Sequence, residues 1–326
     1  MEKVYNSIVE TIGETPLIKI NAVVGKTPHQ FFAKVEYFNP GGSIKDRVAL
    51  AIIEEAEKRG DLRPGATIVE ATSGNTGVGL AMIGALRGYK CIFVMPDKIS
   101  EEKRALLRAF GAKVVITPTA VEHDDPRSYL NVCLQIVKDT PNSFHANQYH
   151  NPDNPTQHYK MTGPELWRQM DGKIDVFVAG GGTGGTISGV GRFLKEKNPN
   201  IDVILADPVG SILADMVQHG KVIDPPAPYK VEGVGEDMIP DNVHFKYING
   251  AVRVNDKQAF QMTREIVARE GLCIGPSSAM ALVAAIEWSK KLTKPSNIIV
   301  LFPDNGRGYL SKAFNDEWMK ENKFLD

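Results

Sequence analysis

From about residue 66 onward, short apolar runs alternate with amphipathic stretches. Thr67-Ile68-Val69-Glu70-Ala71 precedes a helical pattern over residues 75–86. Cys91-Ile92-Phe93-Val94-Met95 precedes a segment opened by Ser100-Glu101-Glu102, whose acids suit the positive end of a helix. Val114-Val115-Ile116 leads to Asp125-Pro126, a pair that predicts an N-cap followed by proline at the first helical position. Val176-Phe177-Val178-Ala179, Val203-Ile204-Leu205-Ala206 and Ile298-Ile299-Val300-Leu301-Phe302 are apolar throughout, as in strands buried on both faces. Their alternation with helices predicts an α/β fold with mainly parallel sheets. Residues 145–165 are quieter, contain Asn151-Pro152-Asp153-Asn154-Pro155, and predict a crossing between two α/β units. Asp224-Pro225-Pro226-Ala227-Pro228 reads as a surface loop.

Composition narrows the class. The 326 residues are 42% hydrophobic and 24% charged, ordinary for a globular enzyme with a substantial core. A net charge of −1 argues against nucleic acid or an anionic membrane as the main partner. No apolar run approaches the roughly 20 residues that span a bilayer. Met1-Glu2-Lys3-Val4-Tyr5-Asn6 shows neither an apolar region nor a cleavage site, so no secretory signal is expected. Cys91, Cys133 and Cys273 are widely spaced and lack metal-type pairing, which points to reduced thiols in a cytoplasmic protein. The seven histidines show no metal-ligand spacing, and His123, among Glu122, Asp124 and Asp125, reads as part of a solvated loop.

Three loops carry candidate chemistry. In Asn39-Pro40-Gly41-Gly42-Ser43-Ile44-Lys45-Asp46-Arg47 two glycines permit a tight turn, and Lys45 opens a helical apolar pattern. A lysine partly desolvated at a helix start suits Schiff-base chemistry, although the segment alone also reads as an ordinary turn. Thr72-Ser73-Gly74-Asn75-Thr76-Gly77 joins a strand to a helix and offers backbone N–H groups, two hydroxyls and an amide to an anion. Gly180-Gly181-Gly182-Thr183-Gly184-Gly185-Thr186 places five glycines within six residues before another helix, as a phosphate cradle would. Gly180, Gly182 and Gly185 also satisfy G-x-G-x-x-G, with Asp207 after the next strand, so a nicotinamide dehydrogenase is the rival reading. The P-loop and hydrolase-elbow motifs are absent.

Taken together, these loops make the chain resemble the fold-type II pyridoxal-phosphate enzymes of the cysteine synthase and cystathionine β-synthase family. The resemblance runs from Ile12-Gly13-Glu14-Thr15-Pro16-Leu17 to Phe302-Pro303-Asp304. It is closest to a cystathionine β-synthase catalytic core through Glu36-Tyr37-Phe38-Asn39-Pro40-Gly41-Gly42-Ser43, Asn147-Gln148-Tyr149 and Glu232-Gly233-Val234-Gly235. It implies two open, mainly parallel twisted-sheet domains with pyridoxal 5'-phosphate in the cleft between them. Residues 1–40 with 149–326 would form the larger domain, and residues 41–148 the smaller, with a mobile part near 85–140. Lys45 would form the internal aldimine and move the α-proton. Asn75 would bond the ring hydroxyl, and Gly182, Thr183, Gly184, Gly185 and Thr186 the phosphate. Ser277 would face the pyridine nitrogen, where a hydroxyl favours loss of a β-substituent over transamination. Thr72, Ser73, Asn75, Thr76, Gln148 and Gly233 would bind the amino-acid substrate, with no metal.

The implied reaction is β-replacement on serine or an O-activated serine through an aminoacrylate, with a thiol as acceptor. Serine with homocysteine comes first and O-acetylserine with sulfide is the alternative; a catalytically silent cofactor-binding scaffold is a further one. A homodimer with small-molecule partners is expected, without the haem segment or regulatory pair of the animal enzymes. Glu236 stands where some relatives carry tyrosine, and reads either as a ligand for a second substrate's amino group or as a rim charge. Pro276 and Ala279-Met280 depart from the usual surroundings of the ring serine, which bears on pocket shape.

Overall fold

The computed structural model describes residues 4–326 apart from 73, 98, 100, 119–120 and 122–124. In chain order the regular elements are β1 (Leu17–Ile20), β2 (Gln30–Val35), α1 (Lys45–Arg59), β3 (Thr67–Ala71), α2 (Asn75–Leu86), β4 (Lys90–Pro96), α3 (Glu101–Ala109), β5 (Lys113–Thr117), α4 (Tyr129–Asp139) and β6 (Ser143–His145). There follow α5 (Asp153–Gln157), a π-helical turn (His158–Thr162), α6 (Gly163–Gln169), β7 (Val176–Gly180), α7 (Gly185–Lys197), β8 (Asp202–Pro208) and α8 (Leu213–His219). The last are β9 (Gly250–Val254), α9 (Asp256–Glu270), α10 (Pro276–Ser289), β10 (Asn297–Phe302) and α11 (Asp316–Glu321).

The chain divides into two compact units, one of Met1–Ile12 with Asn39–Asn154 and one of Gly13–Phe38 with Pro155–Asp326. Residues 1–40, expected with the later half, are therefore split, and only Gly13–Phe38 joins Pro155–Asp326.

The first unit holds a parallel four-stranded sheet in the order β5-β4-β3-β6. All five residues of β3 are buried, as suits a central strand that is apolar apart from Thr67 and Glu70. Its core joins Ile52 and Ile53 of α1, Ile68 of β3, Leu80 and Ile83 of α2, and Phe93 and Met95 of β4. Fully burying each such side chain contributes roughly 1.5–3 kcal/mol. The second unit holds six strands in the order β1-β2-β10-β7-β8-β9, parallel except for β1 against β2. Helix α10 is apolar nearly all round and buried among Val178, Ile204, Val300 and Phe302.

In each sheet the strand order reverses at one place. The chain runs from β3 through β4 to β5 in one direction and returns to β6 on the other side of β3; it runs from β7 through β8 to β9 and returns to β10 beside β7. Such reversals open a crevice at the carboxyl ends of the strands, the usual ligand position in open α/β sheets. The loops at residues 72–77 and 180–186 leave β3 and β7 at those two reversals.

One local expectation needs correcting. Asp125-Pro126 does not start α4; Ser128 caps it, its hydroxyl accepting from Asn131 N at 3.3 Å. Asp125 turns instead onto Arg127, taking its backbone N–H at 2.7 Å and its guanidinium at 2.7 Å, so the carboxylate is spent locally. Ser100, Glu122, His123 and Asp124 lie outside the described residues.

Candidate functional site

In the first unit, the turn before α1 is set by Asp46. Its carboxylate accepts Gly41 N at 2.5 Å, and a Cβ on Gly41 would stand 2.4 Å from Asp46 Oδ1, so only glycine fits. Gly42 has φ +84° and donates to Asn39 O at 2.8 Å. Lys45 then begins α1, half-buried, its backbone N–H held by Ser43 Oγ at 3.1 Å. Helix α2 lies close against α1: a Cβ on Gly79 would meet Ala49 Cβ at 2.8 Å and Lys45 O at 3.1 Å. That approach packs the first half of α2 against the first turn of α1.

The loop after β3 is built by side chains. Thr72, Thr76 and Gln148 are buried, whereas Asn75, the first residue of α2, is exposed. Thr72 Oγ1 accepts Gly74 N at 3.3 Å, and Thr76 Oγ1 donates to Gln148 Oε1 at 2.6 Å. Gly74 caps α2 and makes no side-chain bond to its first turn. Ser73 lies outside the described residues. Beneath the loop, buried Glu70 accepts Asn147 N at 2.6 Å and Gln148 N at 3.4 Å. Burial pushes its carboxyl up to about 8, against the pull of those donors.

In the second unit, the loop after β7 is built by backbone. A Cβ on Gly181 would meet Leu205 Cδ1 at 2.8 Å and one on Gly182 would meet Gly233 O at 2.6 Å. Gly184 caps α7 in the left-handed region, φ +83°, without a side-chain bond, and Thr183 is buried. Gly235 N donates to Gly181 O at 2.6 Å, which ties residues 233–235 to the loop. Thr186 Oγ1 stands 3.2 Å from His158 Nε2, and His158 Nδ1 is 2.9 Å from Thr162 Oγ1 in the π-helical turn. Glu236 is fixed through its backbone, its N–H on Ser211 Oγ at 3.0 Å and its carbonyl accepting Ile212 N at 3.0 Å. Its Oε1 lies 3.8 Å from the Cβ position of Gly182, so Gly182, Gly233 and Glu236 share one place. Ser277, buried, is the second residue of α10, after Gly275 and Pro276. Gly275 abuts Asp304 at the end of β10, where a Cβ would stand 2.2 Å from Asp304 Oδ1.

The dinucleotide reading fails at Asp207. That residue is fully buried, and its Oδ2 accepts Ala214 N at 2.8 Å at the start of α8. Burial pushes it up to about 6, and the side chain serves the turn after β8 rather than a ribose. Among the described residues no group of three or more His, Cys, Asp or Glu side chains could hold a metal, and no helix is long and apolar enough to cross a membrane.

Comparison with known proteins decides the family. The family model described as pyridoxal-phosphate dependent enzyme matches residues 8–304. The chain belongs to that family. Its enzymes use pyridoxal phosphate as cofactor, and membership makes this chain a pyridoxal-phosphate-dependent enzyme of fold type II. It is 44% identical over 325 residues to a cystathionine beta-synthase of Apis mellifera, covering 99% of this chain and 64% of that protein, so it spans less than two thirds of that relative. It is 41% identical to a cysteine synthase of Staphylococcus aureus, covering 95% of this chain and 97% of that one. Among solved structures, an O-ureido-L-serine synthase aligns with a TM-score of 0.88 at 33% identity over 98% of this chain and all of its own. A hydrogen sulfide-producing enzyme from Fusobacterium nucleatum aligns with a TM-score of 0.85 at 36% identity over 94% and 99%.

Sequence reasoning passed over Asp46, Glu70 and His158. Glu70 left a signal, a single acid inside an otherwise apolar strand; His158 left none, because its role arises where the π-helical turn packs on α7 through Gly189, whose Cβ would stand 2.7 Å from His158 Cβ.

Proposed function

We propose that the chain catalyses β-replacement on serine or an O-activated serine, with a thiol as second substrate. The observation that carries this reading is the buried hydroxyl-and-amide loop after β3, suited to an amino-acid carboxylate, which opens a helix packed through Gly79 against the Lys45 backbone at the start of α1. The second unit fits the cofactor's phosphate: a buried, uncapped start of α7, with glycines that any side chain would displace. When bound, pyridoxal phosphate supplies the electron sink for chemistry at the substrate α-carbon.

The remaining work falls to the protein's own groups. Lys45 holds the cofactor and moves the proton at the substrate α-carbon. Residues 182–186 take the phosphate through backbone N–H groups and the hydroxyls of Thr183 and Thr186. Asn75 bonds the ring hydroxyl, and Ser277 the ring nitrogen, where a neutral hydroxyl leaves that nitrogen largely unprotonated. Thr72, Ser73, Thr76 and Gln148 grip the substrate carboxylate. Gly233 leaves room at the entrance, and Glu236 takes the amino group of the second substrate. The functional unit is a homodimer.

The preferred pair is serine with homocysteine, supported by the 44% identity to a cystathionine beta-synthase. A second reading, O-acetylserine with sulfide, is favoured by the cysteine synthase that this chain matches over 97% of its length. Purified protein loaded with pyridoxal phosphate is offered both pairs, and products are followed by mass spectrometry. Cystathionine as the faster product supports the first reading, cysteine the second, and neither product overturns β-replacement.

A further inference from the structure

The central strand of the first unit's sheet carries one group with no place in the chemistry above. Glu70 sits between β4 and β6, 2% exposed, at a position where every neighbour in the strand is buried. A carboxylate there is costly unless donors surround it. Three do: Asn147 N at 2.6 Å, Gln148 N at 3.4 Å, and the Gln148 side-chain amide. Asn147 has φ +51°, a left-handed conformation that asparagine tolerates better than most residues, and it turns the chain at the corner that follows β6. His145, whose Nε2 lies 3.7 Å from the carboxylate, is held below its usual range by burial and by His150.

The Gln148 amide is thereby oriented from both ends. Its nitrogen faces Glu70, an acceptor, and its oxygen takes the Thr76 hydroxyl at 2.6 Å. Its main-chain carbonyl accepts Asn154 Nδ2 at 3.0 Å.

We propose that Glu70 is a positioning residue: its buried carboxyl group fixes the Asn147-Gln148 corner and the orientation of the Gln148 amide, and so sets the grip on the substrate carboxylate. The proposal rests on the reading that Gln148 contacts that carboxylate.

Glu70→Gln tests it, since the amide keeps the shape but points an NH2 group at backbone donors. In holoenzyme titrated with L-serine and followed by its visible spectrum, the apparent Kd rises about tenfold, ~1.4 kcal/mol. The kcat at saturating serine falls less than about threefold, and the cofactor band keeps its position. Hydrogen exchange at the Asn147 and Gln148 amides, measured without substrate, quickens about tenfold. Glu70→Asp, which keeps both acceptor oxygens on a shorter stem, shows a smaller change of the same kind and serves if Glu70→Gln fails to fold. Gln148→Ala weakens serine about as much, and the double variant is no worse than Gln148→Ala alone. Effects that multiply in the double variant, or unchanged serine affinity in Glu70→Gln beside a weakened Gln148→Ala, overturn the role of Glu70. Unchanged affinity in Gln148→Ala overturns the reading of the loop itself, and the positioning role with it.

Discussion

The loops after β3 and β7 occupy equivalent positions, each leaving a buried parallel strand at a reversal of strand order and entering a helix capped by glycine. They are built from opposite materials. After β7, contact distances below 3 Å at Gly181, Gly182 and Gly184 leave a surface made mainly of backbone, with the hydroxyls of Thr183 and Thr186 beside it. After β3, the loop is furnished with Thr72, Asn75, Thr76 and, from across the sheet, Gln148. A backbone cradle has almost no freedom to be retuned, which suits the invariant phosphate of a cofactor. A side-chain pocket can change specificity one residue at a time, which suits a substrate.

Substitutions in the two loops should therefore fail differently. Gly184→Ala forces a side chain into φ +83° with its Cβ 2.3 Å from Val243 Cγ2. The left-handed penalty of roughly 1–2 kcal/mol and overpacking of roughly 1–3 kcal/mol sum to about 2–5 kcal/mol. Denaturant unfolding and cofactor titration should both record the loss, with pyridoxal phosphate bound at least tenfold more weakly. Thr76→Val keeps the volume but removes the donor to Gln148, at about 1 kcal/mol in stability. It should raise the KM for the amino-acid substrate several-fold and leave cofactor affinity unchanged. A Thr76→Val protein that loses cofactor, or a Gly184→Ala protein that loses only substrate affinity, would break the division of labour.

A separate prediction concerns pH. Burial raises the Glu70 carboxyl from its usual 4.5 to about 8 in the folded protein. The folded state then holds more protons than the unfolded chain between those values, so this contribution is complete below about 4.5 and is lost as pH rises through about 8. Tm measured from pH 5 to 9 should fall more in the wild type than in Glu70→Gln, because the amide does not titrate. A steeper fall in the variant would contradict the assignment.

Much of this was legible because apolar continuity and glycine clusters are local signals. Thr67–Ala71 and Asn75–Leu86 appear at the bounds the pattern predicts, and β7 and β10 differ by one residue. The start of α4 was not legible, since Asp125 had two local uses and the choice of Arg127 over the helix follows from an ion pair. The short strands β1 and β6 and the π-helical turn give no period to read. Residue roles divide the same way. The glycine loops announce themselves by composition and Lys45 only through the family resemblance, whereas Asp46 and Glu70 act on backbone N–H groups that only the folded chain brings to them.

The central claim is that Lys45 carries the cofactor, and borohydride fixation tests it most directly. Protein loaded with pyridoxal phosphate is reduced, digested and mapped by mass spectrometry. The account predicts one pyridoxyl-phosphate adduct, on the peptide containing Lys45, and its loss in Lys45→Ala together with the visible cofactor band. An adduct on another lysine of the wild-type protein, or a Lys45→Ala variant that keeps both adduct and band, would contradict it.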